Sequence, residues 1–278
     1  MTAHNSPTRV ALVTGASSGM GKAFAKALHD EGLVVYAAAR RLEQMEDLRQ
    51  LGVHTLQMDI TCDEQVRAAV ERIQGWHGAV DVLINNAGFG LYGAMEDIGI
   101  DEARYQFEVN LFGLARLTQL LLPAMRERRG GRIINISSMG GRLYTPLGSW
   151  YHASKHALEG WSDCLRLELA PFGIKVVIIE PGVISTEFGE VMVTPLLQRS
   201  GSGAYAPMAQ AVAAATRSSY ASGGGSDPQV ISTLILQAVR ARRPKTRYIA
   251  GKYARPMLFI RKWFGDRLFD KLVLSTVK

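Results

Sequence analysis

Tyr151 and Lys155 stand four residues apart at the start of a helical pattern, which places phenol and ammonium on one helix face. An ammonium beside a phenol favours the phenolate and lowers a pKa that is ordinarily ~10. Such a tyrosine can donate and accept a proton near neutrality. Ser137 and Ser138 end an apolar run thirteen residues before Tyr151. A hydroxyl there can hydrogen-bond a substrate oxygen. Asn110 falls mid-helix, where asparagine is unfavourable and needs another reason to stand. A second kind of chemistry is offered by Thr14-Gly15-Ala16-Ser17-Ser18-Gly19-Met20-Gly21. Its glycines permit a tight turn, its backbone N–H groups can approach a pyrophosphate, and the helix that follows adds partial positive charge.

These groups need a scaffold, and the hydrophobic pattern supplies one. Near-continuous apolar runs at 10–13, 33–38, 53–58, 80–84, 133–136 and 176–179 read as strands covered on both faces. Helical patterns over 21–31, 42–51, 64–76, 102–128 and 151–172 alternate with them. The alternation predicts one α/β domain over 1–278, a doubly wound parallel sheet of Rossmann type with right-handed crossovers and helices on both faces. The glycine loop then follows strand one and opens the first helix, where a phosphate loop belongs. Ser138 and Asn85-Asn86-Ala87-Gly88 sit at carboxyl ends of strands, where open α/β sheets bind ligands. Strand two runs into Ala39-Arg40-Arg41. A site for NAD normally offers a carboxylate there for the ribose 2′-OH. Ala39 removes that acid, and the Arg40 guanidinium can chelate a 2′-phosphate, which points to NADP(H).

Residues 187–228 are rich in Gly, Ser and Pro and read as an irregular substrate lid or loop, since long irregular segments in compact domains are usually functional loops. Phe188, Val191, Met192, Val193, Leu196 and Leu197 are its candidate pocket wall, with hinge glycines at 223–225. Residues 254–278 alternate apolar pairs with basic residues and read as one or two amphipathic helices. They suit three uses: covering the pocket, packing in an oligomer, or peripheral contact with a membrane surface.

The net charge of +7 is uneven. Residues 240–278 hold 12 basic and 2 acidic side chains, and the remainder holds 20 basic and 23 acidic. The body is therefore slightly acidic, which gives nucleic-acid binding no charge support. No run reaches the ~20 apolar residues of a membrane span, and nothing resembles a signal peptide, so a cytoplasmic location is expected. Two cysteines, Cys62 and Cys164, indicate neither a disulfide framework nor a metal site and read as buried free thiols.

Taken together the motifs resemble the short-chain dehydrogenase/reductase family, in its short single-domain branch. The resemblance rests on Thr-Gly-x-x-x-Gly-x-Gly at 14–21, Asn-Asn-Ala-Gly at 85–88, the set Asn110, Ser138, Tyr151 and Lys155, and Pro-Gly-x-x-x-Thr at 181–186. It covers about residues 8–186, and 187–278 match only loosely. It implies an NADP(H)-dependent oxidoreductase moving a hydride between nicotinamide and a carbonyl or secondary alcohol. Ser138 would polarise the carbonyl, Tyr151 pass the proton, Lys155 bind the nicotinamide ribose and lower the tyrosine pKa, and Asn110 support a water relay to Lys155. Cofactor contacts would come from Gly15, Ser17, Ser18, Gly19, Met20, Gly21, Arg40, Asp59, Ile60, Asn86, Ala87, Gly88, Tyr151, Lys155, Pro181, Gly182, Ile184 and Thr186. Asp59 would meet the adenine, and Ile184 and Thr186 the carboxamide. The tail resembles the branch acting on steroids, retinoids and other lipophilic alcohols. A homodimer or homotetramer is expected from the long helices 102–128 and 151–172. An acyl-carrier-protein-linked 3-ketoacyl reductase and a non-catalytic NADP(H)-binding regulator are the alternatives.

Overall fold

The computed structural model describes residues 8–220 and 224–276. Seven strands form one sheet: β1 (Val10–Thr14), β2 (Val34–Ala39), β3 (His54–Gln57), β4 (Val82–Asn85), β5 (Gly131–Ile136), β6 (Ile174–Pro181) and β7 (Arg247–Ala250). Their order is β3-β2-β1-β4-β5-β6-β7, and every neighbouring pair is parallel. The order reverses between β1 and β4. That reversal opens a crevice above the carboxyl ends of both strands.

Strand side chains alternate between two cores. Ala11, Val13, Val35 and Ala37 face one layer, which contains α1 (Gly19–Asp30), α2 (Glu46–Gln50) and α9 (Gln229–Arg240). Val10, Leu12, Tyr36 and Ala38 face the other, with α3 (Asp63–His77), α5 (Gly113–Glu127) and α6 (Ser149–Leu169). Both faces are covered, so the runs are apolar throughout instead of alternating.

Four expectations need correction. The single helix over 102–128 is α4 (Ile100–Phe107), a five-residue π-helical turn (Glu108–Phe112) and α5. The irregular lid is instead a pair of helices, α7 (Phe188–Ser200) and α8 (Ala206–Tyr220). Gly and Ser are concentrated in the connection between them, and Pro195 is carried inside α7, where it forgoes one backbone hydrogen bond. Neither α9 nor β7 was expected. β7 is a short edge strand whose four residues carry little pattern. The thiols are not buried: Cys62 is half-buried beside the start of α3, and Cys164 lies on the exposed side of α6.

The tail is α10 (Ala254–Ser275), bent at Gly265, where φ is 71°. Leu258, Phe269 and Val273 pack on Leu143, Met139 and Tyr144. No helix among the described residues is long and apolar enough to cross a membrane.

Edge strand β7 is tied to α6 through charge. Arg247 reaches Glu180 of β6 at 3.1 Å, and Glu159 and Asp163 of α6 at 3.0 and 2.7 Å. Glu180 is fully buried and its second cation is Arg142 at 3.3 Å. Removing one partner of a buried pair leaves an uncompensated charge, so Arg247→Met should cost ~3 kcal/mol. Urea denaturation at neutral pH measures it, and Glu180→Gln in the same background should recover part of the loss.

Candidate active site

The crevice begins where β1 meets β4. Thr14 Oγ1 donates to the Ile84 carbonyl and accepts from the amides of Asn86 and Ala87, both at 3.0 Å. Asn86 Nδ2 returns to the Thr14 carbonyl at 3.0 Å and the Gly15 carbonyl at 3.2 Å. These bonds lock the glycine loop against the Asn-Asn-Ala-Gly turn. A Cβ on Gly21 would stand 2.3 Å from the Gly15 carbonyl oxygen and 2.5 Å from Asn86 Nδ2, so only glycine fits there. Gly15 and Gly19 hold φ of 66° and 53°, the left-handed region. Ser18, which caps α1, makes no side-chain capping bond, so its hydroxyl and the first N–H groups of α1 remain available to an anion.

Two adjoining cavities fill the crevice. The larger, about 670 Å³, is lined by Gly15, Ser18, Gly19, Met20, Gly21, Asn86, Ala87, Gly88, Ser138, Tyr151, Lys155, Pro181, Gly182, Ile184 and Thr186. The smaller, about 350 Å³, adds Ser17, Asp59 and Ile60. Arg40, Arg41, Ala87 and Gly88 line both, so the two form one elongated cleft. The cleft fits an extended dinucleotide: phosphate-ready glycines at its middle, Asp59 and the arginines at one end, Ser138 and Tyr151 at the other. Arg40 donates to the Tyr105 hydroxyl at 3.3 Å, and among the described residues neither Arg40 nor Arg41 pairs with a carboxylate.

Asn110 lines neither cavity. It is fully buried in the π-helical turn, accepting from Phe89 N and donating to the Phe89 carbonyl and to Ser154 Oγ, each at 3.1 Å. The π turn explains an asparagine in mid-helix, because widening the helix there aims the amide at the loop after Gly88.

Electrostatics depart from the sequence expectation in one respect. Burial raises the Tyr151 pKa, where the neighbouring ammonium led to the expectation of a lowered one, and a hydrogen bond with Ser138 offsets part of that rise. Lys155 is itself buried, which brings its pKa down to about 8, with Glu159 one turn on opposing the shift. Its ammonium donates to the Ile136 carbonyl at 2.8 Å.

Sequence reasoning missed the aromatic surround of Tyr151. Tyr92 and Phe188 pack against it with tilted rings, centroids 5.6 and 6.0 Å away, and Tyr220 at the end of α8 lines the cavity against Phe188. No local signal marks Tyr92, in the loop after β4, or Tyr220, which reaches the site through the packing of α8 on α7. Gly189 makes room, since a Cβ there would meet the Tyr220 ring at 2.6 Å. Of the expected wall, Phe188 and Val191 line the cavity; Met192, Val193, Leu196 and Leu197 pack within the helix pair instead. The expected hinge is not free at Gly225, within the described residues. Ser226 exchanges backbone bonds with Val183 and Ser185 beside β6, and a Cβ on Gly225 would crowd Ser185 N at 2.7 Å; Gly223 lies outside the described residues. No lining residue of either cavity comes from the tail, so α10 does not cover the pocket.

The short chain dehydrogenase family profile matches residues 9–194. The chain belongs to that family of oxidoreductases. An uncharacterized oxidoreductase, YusZ of Bacillus subtilis, is 36% identical over 95% of this chain and 97% of its own length. A 3-ketodihydrosphingosine reductase of Bacteroides thetaiotaomicron is 44% identical, over 65% of each chain, a little under two thirds of that protein. Among solved structures, a short-chain dehydrogenase from Streptomyces avermitilis superposes with TM-score 0.79 at 35% identity over 96% of both chains. An actinorhodin polyketide ketoreductase variant solved with NADPH superposes with TM-score 0.71 at 30% identity, over 87% of this chain and 95% of its own. Members of this family bind nicotinamide cofactors.

His152, next to the tyrosine, pins the loop that follows Ser138. Its Nδ1 donates to the Gly140 carbonyl at 2.9 Å, and its Nε2 accepts from Thr145 N at 3.1 Å. Burial lowers its pKa to about 4. The folded state therefore binds the proton more weakly than the unfolded chain. The stability this contributes is fully present above pH ~6.5 and is lost as pH falls towards about 4, by at most ~3 kcal/mol. Urea midpoints at pH 7.5 and 5.0 should show the fall, and His152→Gln should flatten it.

Proposed function

We propose that the protein is an NADP(H)-dependent reductase or dehydrogenase acting on a carbonyl or secondary alcohol of a lipophilic substrate. The observation carrying the cofactor reading is the end of β2: Ala39 stands where an acid would repel a 2′-phosphate, and Arg40 and Arg41 face both cavities. The cofactor, when bound, supplies or accepts the hydride. Gly15, Ser17, Ser18, Gly19, Met20 and Gly21 would hold its phosphates; Asp59 and Ile60 its adenosine; Asn86, Ala87 and Gly88 its middle; Pro181, Gly182, Ile184 and Thr186 its nicotinamide end.

Ser138 orients and polarises the substrate oxygen, and Tyr151 gives or takes its proton. Lys155, an ammonium at neutral pH, binds the nicotinamide ribose and stabilises negative charge developing on the phenol. Burial alone leaves Tyr151 a poor acid, so this charge stabilisation is what the reaction requires of Lys155. Asn110 positions the 88–89 corner and Ser154 beside Lys155, where a relaying water belongs. The lipophilic reading rests on Phe188, Val191 and Tyr220 walling the substrate end. The relative named for a sphingosine-type ketone supports the same class. We further propose a cytoplasmic enzyme with peripheral membrane contact, assembled as a homodimer or homotetramer. Exposed Phe112 in the π-helical turn and Leu167 on α6 support that assembly.

Two variants test the assignment, with kcat/KM measured on a series of ketones of rising chain length. Arg40→Ala should lose about tenfold or more with NADPH and little with NADH, as a charge-assisted hydrogen bond contributes ~1.5–3 kcal/mol. Equal native efficiency with both cofactors would refute the NADP(H) reading. Tyr151→Phe should abolish turnover while NADPH binding, followed by fluorescence, stays near normal. Short polar ketones turning over as well as long apolar ones would remove the lipophilic assignment.

A further inference from the structure

Helix α10 has two apolar faces, and the body covers only one. Leu258, Phe269 and Val273 are buried. On the other side Phe259, Trp263 and Phe264 are 58%, 65% and 55% exposed. Phe259 lies 6.4 Å from Trp263 and 6.2 Å from Phe264 between ring centroids, so the three make one contiguous aromatic patch. Exposed Leu268 and Leu274 extend the apolar surface beyond the bend at Gly265.

The patch is framed by cations. Arg255, Phe259 and Lys262 follow at helical spacings of four and three, and the Lys262 ammonium sits 5.0 Å from the Trp263 ring. Exposed Arg267 and Lys271 repeat the arrangement past the bend. None of these four cations has a carboxylate partner among the described residues. The two acids of the segment are engaged within the protein, Asp266 by Arg261 and Asp270 by the Tyr144 hydroxyl.

We propose that this aromatic and cationic face of α10 docks the protein on the surface of an anionic lipid bilayer. Tryptophan and phenylalanine insert at the boundary between headgroups and acyl chains, while Lys and Arg meet anionic headgroups. A second copy of the chain is the less suitable occupant, since a two-fold contact would bring like charges together. The docked face lies directly outside Met139, Leu143 and Tyr144, in the loop that begins at Ser138. Docking therefore places the bilayer across α10 from that loop, and it accords with the lipophilic-substrate reading while resting on residues outside the site.

Sedimentation of the full chain with vesicles tests this, comparing pure phosphatidylcholine with phosphatidylcholine–phosphatidylserine mixtures. The protein should bind the anionic vesicles, release at high salt, and bind the neutral ones weakly. The triple variants Phe259→Ser/Trp263→Ser/Phe264→Ser and Arg255→Glu/Lys262→Glu/Arg267→Glu should each lower partitioning about tenfold or more. Both should keep the native circular dichroism spectrum and urea midpoint, which shows that they fold. Native binding that is absent, that is indifferent to phosphatidylserine, or that survives both variants overturns the proposal. So does a fall in native mass to monomer in the aromatic variant, which would assign the patch to a second copy. Vesicle binding is read without turnover, so an error in substrate class leaves this result standing.

Discussion

Everything at the site hangs on the closeness of two chain segments where the sheet order reverses. The Thr14 hydroxyl takes two backbone amides from the turn after β4, and Asn86 answers with two bonds to the carbonyls after β1. That exchange draws the glycine loop so near the Asn-Asn-Ala-Gly turn that Gly21 has no room for a Cβ. A looser junction would leave α1 pointing its free N–H groups elsewhere. Deeper in the sheet, Asn85 donates to Asn135 at 2.9 Å and Asn135 donates to Ser162 at 2.8 Å, linking β4 and β5 to α6. The phosphate-ready loop and the helix bearing Tyr151 and Lys155 are thereby parts of one rigid assembly. A cleft for a molecule that must touch both demands such coupling.

Burial sets the chemistry of the pair on α6. Desolvation opposes both charged forms, raising the phenol and lowering the ammonium. A proton can move only where something compensates. Ser138 and Glu159 supply part of that compensation. The Glu159, Asp163, Glu180 and Arg247 network continues it to the far edge of the sheet. The C-terminal third of the chain is thus electrically joined to α6 through β7, while α10 packs on the loop before that helix.

Two additions flank the sheet, one beside the cleft and one away from it. Helix α7 is anchored at its end, where Ser200 Oγ donates to Asp97 at 2.6 Å and accepts from Ala94 N at 2.8 Å. Arg199 also binds Glu102. With its return held at Ser226, the α7–α8 pair is a packed wall beside Tyr151 with an aromatic lining. Helix α10 lies outside, where its covered face supports the loop after Ser138 and its open face meets solvent.

The sequence by itself determined the doubly wound sheet, the phosphate loop and the cleft residues. Each depends on a local rule: apolar runs for strands covered on both faces, glycine for left-handed turns and close approach, and strand ends for ligands. The lining residues Arg40, Asp59, Ser138, Tyr151 and Lys155 were all readable in this way. Tertiary structure alone decided that Asn110 faces Phe89 and Ser154 from a π turn, because helix widening depends on what packs beside it. It also decided that Tyr92 packs against Tyr151, 59 positions on, and that Tyr220, 69 positions beyond Tyr151, lines the same cavity, with no periodicity to announce either. Residues 187–228 misled for the same reason. Their Gly, Ser and Pro content describes the connections, while the helices between are stabilised by burial against one another and against Tyr151. Local composition cannot report a stabilisation that exists only once distant segments have met.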